Sequence, residues 1–168
     1  MSISAALMPE FDQEMAKTRE ALERVPTDRF GWKPHEKSFS IGELANHMAR
    51  LPGWGAATMT TESMDLDPEA GEFEAPEPVE TAEELLELFD TQAAGFRAAL
   101  AEAGDEAMMA SWTLSNGGEE LFTMPRVAVI RGMILNHLVH HRGQLTVYLR
   151  LNDLPVPGLY GPSADEGM

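Results

Sequence analysis

Residues 125–151 read PRVAVIRGMILNHLVHHRGQLTVYLRL, and this stretch decides the fold. Apolar residues recur in it at helical spacing, and Pro125 suits the first turn of a helix, where its missing N–H needs no partner. On a helical wheel with His137 at the origin, His141 lies at about +40°, His140 at about −60°, and the apolar face centres at about +45°. The sequence therefore predicts one long helix that turns His137 and His141 towards the core.

Three amphipathic segments precede this helix. The first ends near Pro26, and the second and third begin with the reciprocal pattern of a capping box. The capping pairs are Ser40 with Glu43 and Thr81 with Glu84, and the third segment ends near Gly104. These segments predict three further helices, each with one apolar face.

The joins between the segments differ in length and composition. Pro52-Gly53 predicts a kink or break after Leu51, with helix resuming from Trp54 to Thr61. Residues Glu62–Glu80 lack helical periodicity and are predicted to form a long crossover loop. Residues 112–124 favour a short hairpin around an Asn-Gly turn, and the Pro- and Gly-rich residues 153–168 favour a coil.

Together these patterns predict an all-α single domain that spans residues 1–168. Its architecture is a four-helix bundle with a long crossover between the second and third helices. A short hairpin precedes the fourth helix.

The composition excludes several classes of protein and site. The 168 residues carry 28 Asp plus Glu against 12 Lys plus Arg, for a formal charge of −16, and contain no cysteine. Such a charge opposes binding to nucleic-acid phosphates, and the lack of cysteine excludes disulfides, thiolate ligands and a cysteine nucleophile. No apolar run approaches the roughly 20 residues of a membrane span, and the N-terminus lacks the basic start of a signal peptide. We therefore expect a cytoplasmic protein without nucleic-acid or membrane partners.

The negative charge is concentrated in one part of the chain. Residues 51–96 contain 12 acidic residues and no Lys or Arg, which accounts for 12 of the 16 net charges. The stretch lacks the spaced Asp pattern of a calcium-binding loop. We interpret it as a solvated loop and helix face.

Histidines form the candidate functional site. His137 and His141 are one turn apart, and His47 on the second helix can also face inward. Three imidazoles from two facing helices can hold a metal and leave coordination positions open, as in catalytic zinc sites. The alternative is three separate core histidines, each with its own hydrogen-bond partners.

The ordered set of motifs resembles the DinB/YfiT-like family of metal-binding four-helix bundles. The resemblance rests on WKP at 32–34, SFSIGELANH at 38–47, HLVHHRGQ at 137–144 and PVPGLYGPSA at 155–164. It implies a divalent metal, most often zinc or nickel, held by His47, His137 and His141. It also implies a homodimer, and some relatives use low-molecular-weight thiols.

Three functions follow from these residues. The first is a metal-dependent thiol S-transferase that acts on a small-molecule substrate, with the thiol supplied from outside because the chain has no cysteine. The second is a hydrolase in which the metal activates water and Glu43 acts as the general base. The third is a non-catalytic protein that binds metal or a small molecule.

Further candidate residues lie near the histidines in sequence. Glu43, His140 and Gln144 are candidates for a catalytic role, and Gln144 faces the histidine stripe at about −20° on the wheel. Arg142 and Gln144 are candidates for binding a cofactor or an anionic group.

Overall fold

Five helical runs and a small sheet make up the described part of the computed structural model, which covers residues 2–67 and 77–166. The helices are α1 (Ile3–Leu22), α2 (Ile41–Thr60), α3 (Ala82–Glu102), α4 (Asp105–Met109), α5 (Arg126–Val129) and α6 (Asn136–Leu151), and the strands are β1 (Ser63–Asp65), β2 (Ser111–Asn116) and β3 (Glu119–Pro125). A 3-10 turn covers Thr27–Arg29, and a π-helical segment, Ile130–Leu135, joins α5 to α6 without a break. We call the continuous run from α5 to α6 the C-terminal helix.

The main core lies between α1, α2, α3 and the C-terminal helix. Each of these helices contributes fully buried apolar side chains, among them Phe11, Leu44, Phe96 and Leu145. Phe11 and Phe96 meet edge to face, with ring centroids 5.0 Å apart, an arrangement that aromatic pairs favour. The predicted bundle of four amphipathic helices is therefore present. Within the described residues no helix is both long enough and apolar enough to cross a membrane.

Both predicted capping boxes are confirmed. On α2, the Glu43 N–H donates to Ser40 Oγ at 3.1 Å, and the Ser40 N–H donates to the Glu43 carboxylate at 2.6 Å. The same reciprocal pair joins Thr81 and Glu84 at the start of α3. These bonds satisfy N–H groups that have no partner within the helix, which explains where α2 and α3 begin.

Of the predicted kink or break after Leu51, the break is wrong, because α2 continues through Pro52 as one helix. Pro52 removes one backbone hydrogen bond, but it is buried, and α2 packs very closely on α3. A Cβ added at Gly55 would overlap the ring of Phe96 on α3. Burial in this contact offsets the local cost of the proline and keeps α2 unbroken.

The fold is not all-α, because a three-stranded sheet in the order β1-β2-β3 packs beside the bundle. The predicted hairpin is confirmed as antiparallel β2 and β3, with Gly117 and Gly118 at its turn, both at positive φ. Strand β1, which pairs parallel to β2, lies in the segment predicted to be a crossover loop. A run of only three residues shows too little alternation to predict a strand. The rest of that crossover includes residues 68–76, which lie outside the described residues.

Hydrogen bonds to the Asp65 carboxylate connect β1 to the turn of the β2–β3 hairpin. Its carboxylate accepts hydrogen bonds from the N–H groups of Gly117 and Gly118, each at 2.8 Å, and from the Ser115 hydroxyl at 2.8 Å. The N–H of Asp67 donates to it as well, at 2.8 Å. These bonds, those from Asp67 and Gly118 first, lower the pKa of Asp65 to about 2.

Asp65→Asn is expected to lower the Tm at neutral pH, since an amide cannot accept all of these hydrogen bonds. In the folded protein the pKa of Asp65 is about 2, which is below its unperturbed value of 3.8. The stabilisation by the Asp65 carboxylate is therefore complete above pH 4 and is lost as the pH falls towards 2. Calorimetry between pH 7 and pH 2 should show the Tm difference from the wild type shrinking over that window. Asp28→Asn, at a side chain 75% exposed, is the control and should show little effect. An equal Tm for Asp65→Asn and wild type at pH 7 would contradict this role.

Candidate metal centre

The structure brings the three predicted histidines together. His47 comes from α2, and His137 and His141 come from consecutive turns of α6. The Nε2 atom of His137 lies 3.3 Å from that of His47 and 2.8 Å from that of His141. One ring nitrogen of each residue thus lies within 4.8 Å of the other two. Because α2 is unbroken at Pro52, His47 stays on the face that meets the C-terminal helix.

Hydrogen bonds fix the protonation of two of the rings. His137 Nδ1 lies 3.2 Å from the carbonyl oxygen of Met133, and His141 Nδ1 lies 2.7 Å from Oε1 of Gln144. Both oxygens only accept, so these contacts favour the tautomers that carry the proton on Nδ1 and present a lone pair at Nε2. Two Nε2 atoms that face each other at 2.8 Å need a proton or a metal ion between them. The three histidines can therefore hold a metal ion.

The donor set fits a borderline divalent metal. Zinc–nitrogen bonds of about 2.0–2.1 Å at tetrahedral angles place two nitrogens roughly 3.3 Å apart. The Nε2 atoms of His47 and His137 are already separated by 3.3 Å, and the pair on α6 needs only a small opening. Three neutral imidazoles suit zinc and nickel as well as copper and iron.

Burial prepares these rings for metal binding. Burial first, and then electrostatic interactions with His141, His137 and Arg50, lower the pKa of His47 to about 4. Burial also lowers the pKa of His141, although its hydrogen bond with Gln144 acts in the opposite direction. Neutral imidazole is the form that binds metals, so His47 is ready at neutral pH without losing a proton.

Gln144 and His140 occupy different positions relative to the three histidines. The Gln144 side chain orients His141 and holds it in the tautomer that a metal requires. Residues that hydrogen-bond to a metal-ligating histidine commonly have this role. His140 is exposed, and its ring centroid lies 5.0 Å from that of His141. It stays outside the histidine cluster.

Arg142 does not face the cluster. It is fully buried on another side of α6, where its guanidinium bonds to Glu14, to the Thr18 hydroxyl and to the hydroxyl of Tyr160. The Tyr160 hydroxyl also donates to the Glu14 carboxylate at 2.7 Å. Arg142 therefore joins α1, α6 and the C-terminal tail, and the candidate role in binding a cofactor does not fit its position.

Glu43 is poorly suited to act as a general base. Its carboxylate accepts from the Ser40 N–H and pairs with Lys33 Nζ at 3.1 Å, and its side chain is 54% exposed. The bond from the Ser40 backbone, followed by the contact with Lys33, lowers the pKa of Glu43. The carboxylate is thus committed to the helix cap and is a weaker base than an ordinary glutamate.

Two cavities adjoin the histidines. The larger, of about 610 Å³, has apolar walls from Phe30, Leu51, Trp54 and Val79, and His47 and Arg50 line it as well. The smaller, of about 80 Å³, lies between α2, the hairpin and the C-terminal helix, and His47 and His137 both line it. We call them the large cavity and the small cavity. Since His47 lines both, a ligand in either cavity can approach the cluster.

Two features of the site were not predicted. Arg50 was missed, although a basic residue one turn after His47 on an apolar helix is a visible signal. The π-helical segment immediately before His137 was missed as well, and it contains Met133, whose carbonyl oxygen accepts from His137. A uniform helical wheel cannot register such a segment, because its spacing assumes one kind of turn.

A model of the DinB family matches residues 1–167. The chain belongs to the DinB family. The uncharacterized protein YrdA of Bacillus subtilis (strain 168) is 26% identical over 160 residues, which cover 91% of this chain and 85% of YrdA. The expected family membership is thereby confirmed over nearly the whole sequence.

Solved DinB-like structures share the fold. A DinB-like protein from Bacillus cereus ATCC 10987 superposes with a TM-score of 0.71 at 20% identity and covers 95% of this chain and 98% of its own. The DinB-like protein YjoA from Bacillus subtilis gives a TM-score of 0.69 at 20% identity and covers 88% of this chain and 92% of its own. This DinB-family chain thus shares its overall fold with other DinB-like proteins.

Proposed function

We propose that this DinB-family protein is a metal-dependent enzyme that binds a small external thiol and transfers it to an electrophilic small molecule. The observation that carries the proposal is the convergence of the Nε2 atoms of His47, His137 and His141 beside two cavities. Zinc or nickel is the proposed metal, since three imidazoles suit both.

Different residues of the chain would have different roles in such a reaction. A divalent metal held by the three histidines would lower the pKa of a thiol bound to it. Met133 and Gln144 hold the rings of His137 and His141 in the tautomer that leaves Nε2 free. The apolar walls of the large cavity offer a surface beside His47 on which an electrophilic small molecule can pack. The thiol would release its proton to water, and its sulfur would form a bond to the electrophilic carbon as the leaving group departs with its electron pair. This balance requires no carboxylate base, which agrees with a site whose local carboxylate, Glu43, is committed to a helix cap.

The direct test is thiol-dependent conjugation by the metal-loaded protein. Zinc- and nickel-loaded samples are mixed with a panel of electrophiles, with and without a small thiol, and product is measured by mass spectrometry. Conjugation that requires both metal and thiol is the expected result. If neither sample conjugates any electrophile, and a thiol leaves the spectrum of the cobalt-substituted protein unchanged, the proposal is wrong.

Glu43→Gln separates this proposal from the hydrolase alternative. We expect thiol-dependent turnover to persist in this variant, because the carboxylate serves the helix cap and not the chemistry. The matched control is Glu84→Gln, which changes the equivalent residue of the α3 capping box. Each variant should keep nearly all of its stability, because the glutamine amide oxygen can still accept a hydrogen bond from the N-cap N–H. Loss of turnover in Glu43→Gln alone, with metal retained, would instead favour metal-activated water with Glu43 as its base.

The proposed homodimer is tested separately by analytical ultracentrifugation of the metal-loaded protein. A single monomeric species at micromolar concentration would contradict it.

A further inference from the structure

The small cavity lies directly beside the histidine cluster and has a mainly apolar wall. His47 and His137 line it, and most of the remaining wall consists of apolar side chains, among them the buried Trp112, Leu114 and Val129. An empty apolar cavity costs stability, because the atoms around it lose packing contacts. Since this cavity adjoins two of the three candidate metal ligands, it is a candidate site for part of a reacting molecule.

Two polar side chains of the cavity wall already have hydrogen-bond partners. The Thr58 hydroxyl donates to the carbonyl oxygen of Trp54 at 2.8 Å, and the Trp112 indole N–H donates to the Thr61 hydroxyl at 3.1 Å. A bound water needs several polar partners, and a charged group would lose its hydration here without compensation. The group that fits this cavity is therefore uncharged and apolar.

The volume of the small cavity limits the size of that group. The cavity measures about 80 Å³, whereas an apolar cavity that binds benzene measures about 150 Å³. An alkyl group of about three carbons is smaller than a benzene ring and suits the smaller space. A methyl group would leave much of the cavity empty, and a hexyl group would be too large for it.

The hairpin forms one wall of the small cavity. Trp112 and Leu114 are alternate residues of β2, and Phe122 on β3 lies directly across from Leu114. Alternate residues of a strand, and residues opposite each other on paired strands, share one face of a sheet. Leu121, the neighbour of Phe122 in sequence, is 54% exposed and does not line the cavity. Phe122 and Leu121 are therefore a matched pair of positions, one in the cavity wall and one outside it.

We propose that the small cavity binds a short alkyl group attached to the electrophilic carbon, so that the electrophile is an uncharged compound with an alkyl group of about three carbons. This inference rests on the proposed thiol transfer. His47, Leu51 and Trp54 line both cavities, so the two cavities are adjacent, and the remainder of the electrophile has room in the large cavity. The reacting carbon then lies beside the histidine cluster.

Conjugation of 2-mercaptoethanol with 2-bromoalkanamides tests this chain length. The alkyl group on the reacting carbon is methyl, propyl or hexyl. The thiolate sulfur bonds to this carbon, the carbon–bromine bond breaks, and bromide departs with the electron pair, while the thiol proton passes to water. Released bromide is measured, and the uncatalysed rate is subtracted.

The variants change the volume of the small cavity in opposite directions. Leu114→Phe fills the cavity, and Phe122→Ala enlarges it. Leu121→Ala is the matched control, because it shortens an apolar side chain on the same strand outside the cavity wall. Phe122 is half-buried on the edge strand of the sheet, so Phe122→Ala keeps the inference testable if Leu114→Phe does not fold.

For the zinc-loaded wild type we expect kcat/KM to rise about fourfold for each methylene from methyl to propyl, as burial of methylene groups implies, and to fall from propyl to hexyl. Leu114→Phe should abolish the rise, Phe122→Ala should move the optimum to hexyl, and Leu121→Ala should keep the wild-type profile. The same profile in all four proteins overturns the inference and leaves the thiol proposal intact. If rates depend on Leu114 only through the chain length of an alkanethiol, the cavity belongs to the thiol, and the inference is overturned as well.

Failure of the thiol proposal gives a different pattern, in which none of the four proteins conjugates any bromide. Xenon then tests the cavity by itself, because this inert atom enters apolar cavities without metal chemistry. In the zinc-loaded wild type under xenon, the methyl resonances of Leu114, Val129 and Ile134 should shift, and Leu114→Phe should abolish the shifts of Val129 and Ile134. Shifts of this kind support an apolar binding site beside the histidines. Unshifted resonances in the wild type would show that the cavity admits no apolar group and would overturn the inference.

Discussion

His141→Ala is expected to abolish tight metal binding, whereas His140→Ala leaves it unchanged. The two histidines are adjacent in sequence, but only His141 directs a nitrogen at the cluster, with its Nε2 2.8 Å from that of His137. His140 is exposed and lies outside the cluster. The pair of variants therefore separates ligation from a general effect of removing an imidazole from α6.

A variant at Gln144 provides a control with an intermediate expected effect on metal affinity. Gln144→Ala removes the partner that fixes the His141 tautomer and should weaken metal affinity about 10–100-fold, the range for residues that orient a ligand. Loss of the ligand itself in His141→Ala should cost more than this. Elemental analysis after purification without chelators, followed by competition with a chromophoric chelator, measures both effects.

Two outcomes would overturn the metal assignment. If the wild-type protein remains metal-free after addition of zinc, nickel or cobalt, then His47, His137 and His141 are separate core histidines and not metal ligands. Equal metal content in wild type and His141→Ala would remove His141 from the ligand set. The expected affinity also falls below neutral pH, because protons compete with the metal for the imidazole nitrogens.

Glu14→Ala is expected to destabilise the fold by about 3 kcal/mol without loss of metal. Arg142 is fully buried, and Glu14 supplies both a carboxylate and a backbone oxygen to its guanidinium. Removal of one partner of a buried ion pair leaves an uncompensated charge, which typically costs about 3–5 kcal/mol. The remaining bonds to Thr18 and Tyr160 place the expected cost at the lower end.

Denaturant unfolding of matched variants checks this value. Glu10→Ala, which breaks the exposed pair with Arg131, should cost less than about 1 kcal/mol. The double variant Glu14→Leu with Arg142→Met should recover much of the loss, because no charge is then left buried. If Glu14→Ala and Glu10→Ala are equally stable, the buried cluster does not hold α1, α6 and the C-terminal tail together.

The sequence alone was sufficient to predict the helical bundle and the set of three histidines. Apolar spacing, the Ser40 and Thr81 caps and the hairpin glycines are local signals, and a helix or a turn responds mainly to its near neighbours in the chain. Two histidines one turn apart on an apolar helix also require no knowledge of the fold. The pattern therefore predicted His47, His137 and His141 as a set, and the structure brings these residues together.

The continuity of α2 and the third strand depended on contacts between distant residues. Pro52 is a local signal for a break, but packing against Phe96 on α3 keeps the helix whole. The three residues of β1 form a strand because β2, far along the chain, offers a free edge and because Asp65 reaches the turn at Gly117. Neither partner is visible in the local pattern.

Arg142 and Arg50 lie near the histidines in sequence. They show most clearly how the sequence-based prediction differs from what the tertiary structure decides. By sequence Arg142 adjoins a predicted ligand, yet it is paired on another face of α6; Arg50 was not predicted to belong to the site, yet it lines the large cavity. The amino-acid sequence determined that the chain forms amphipathic helices and carries three histidines able to share a metal. Only the tertiary structure decided which charged side chains are paired and which line a cavity, because a buried charge takes its partner from whichever helix packs against it.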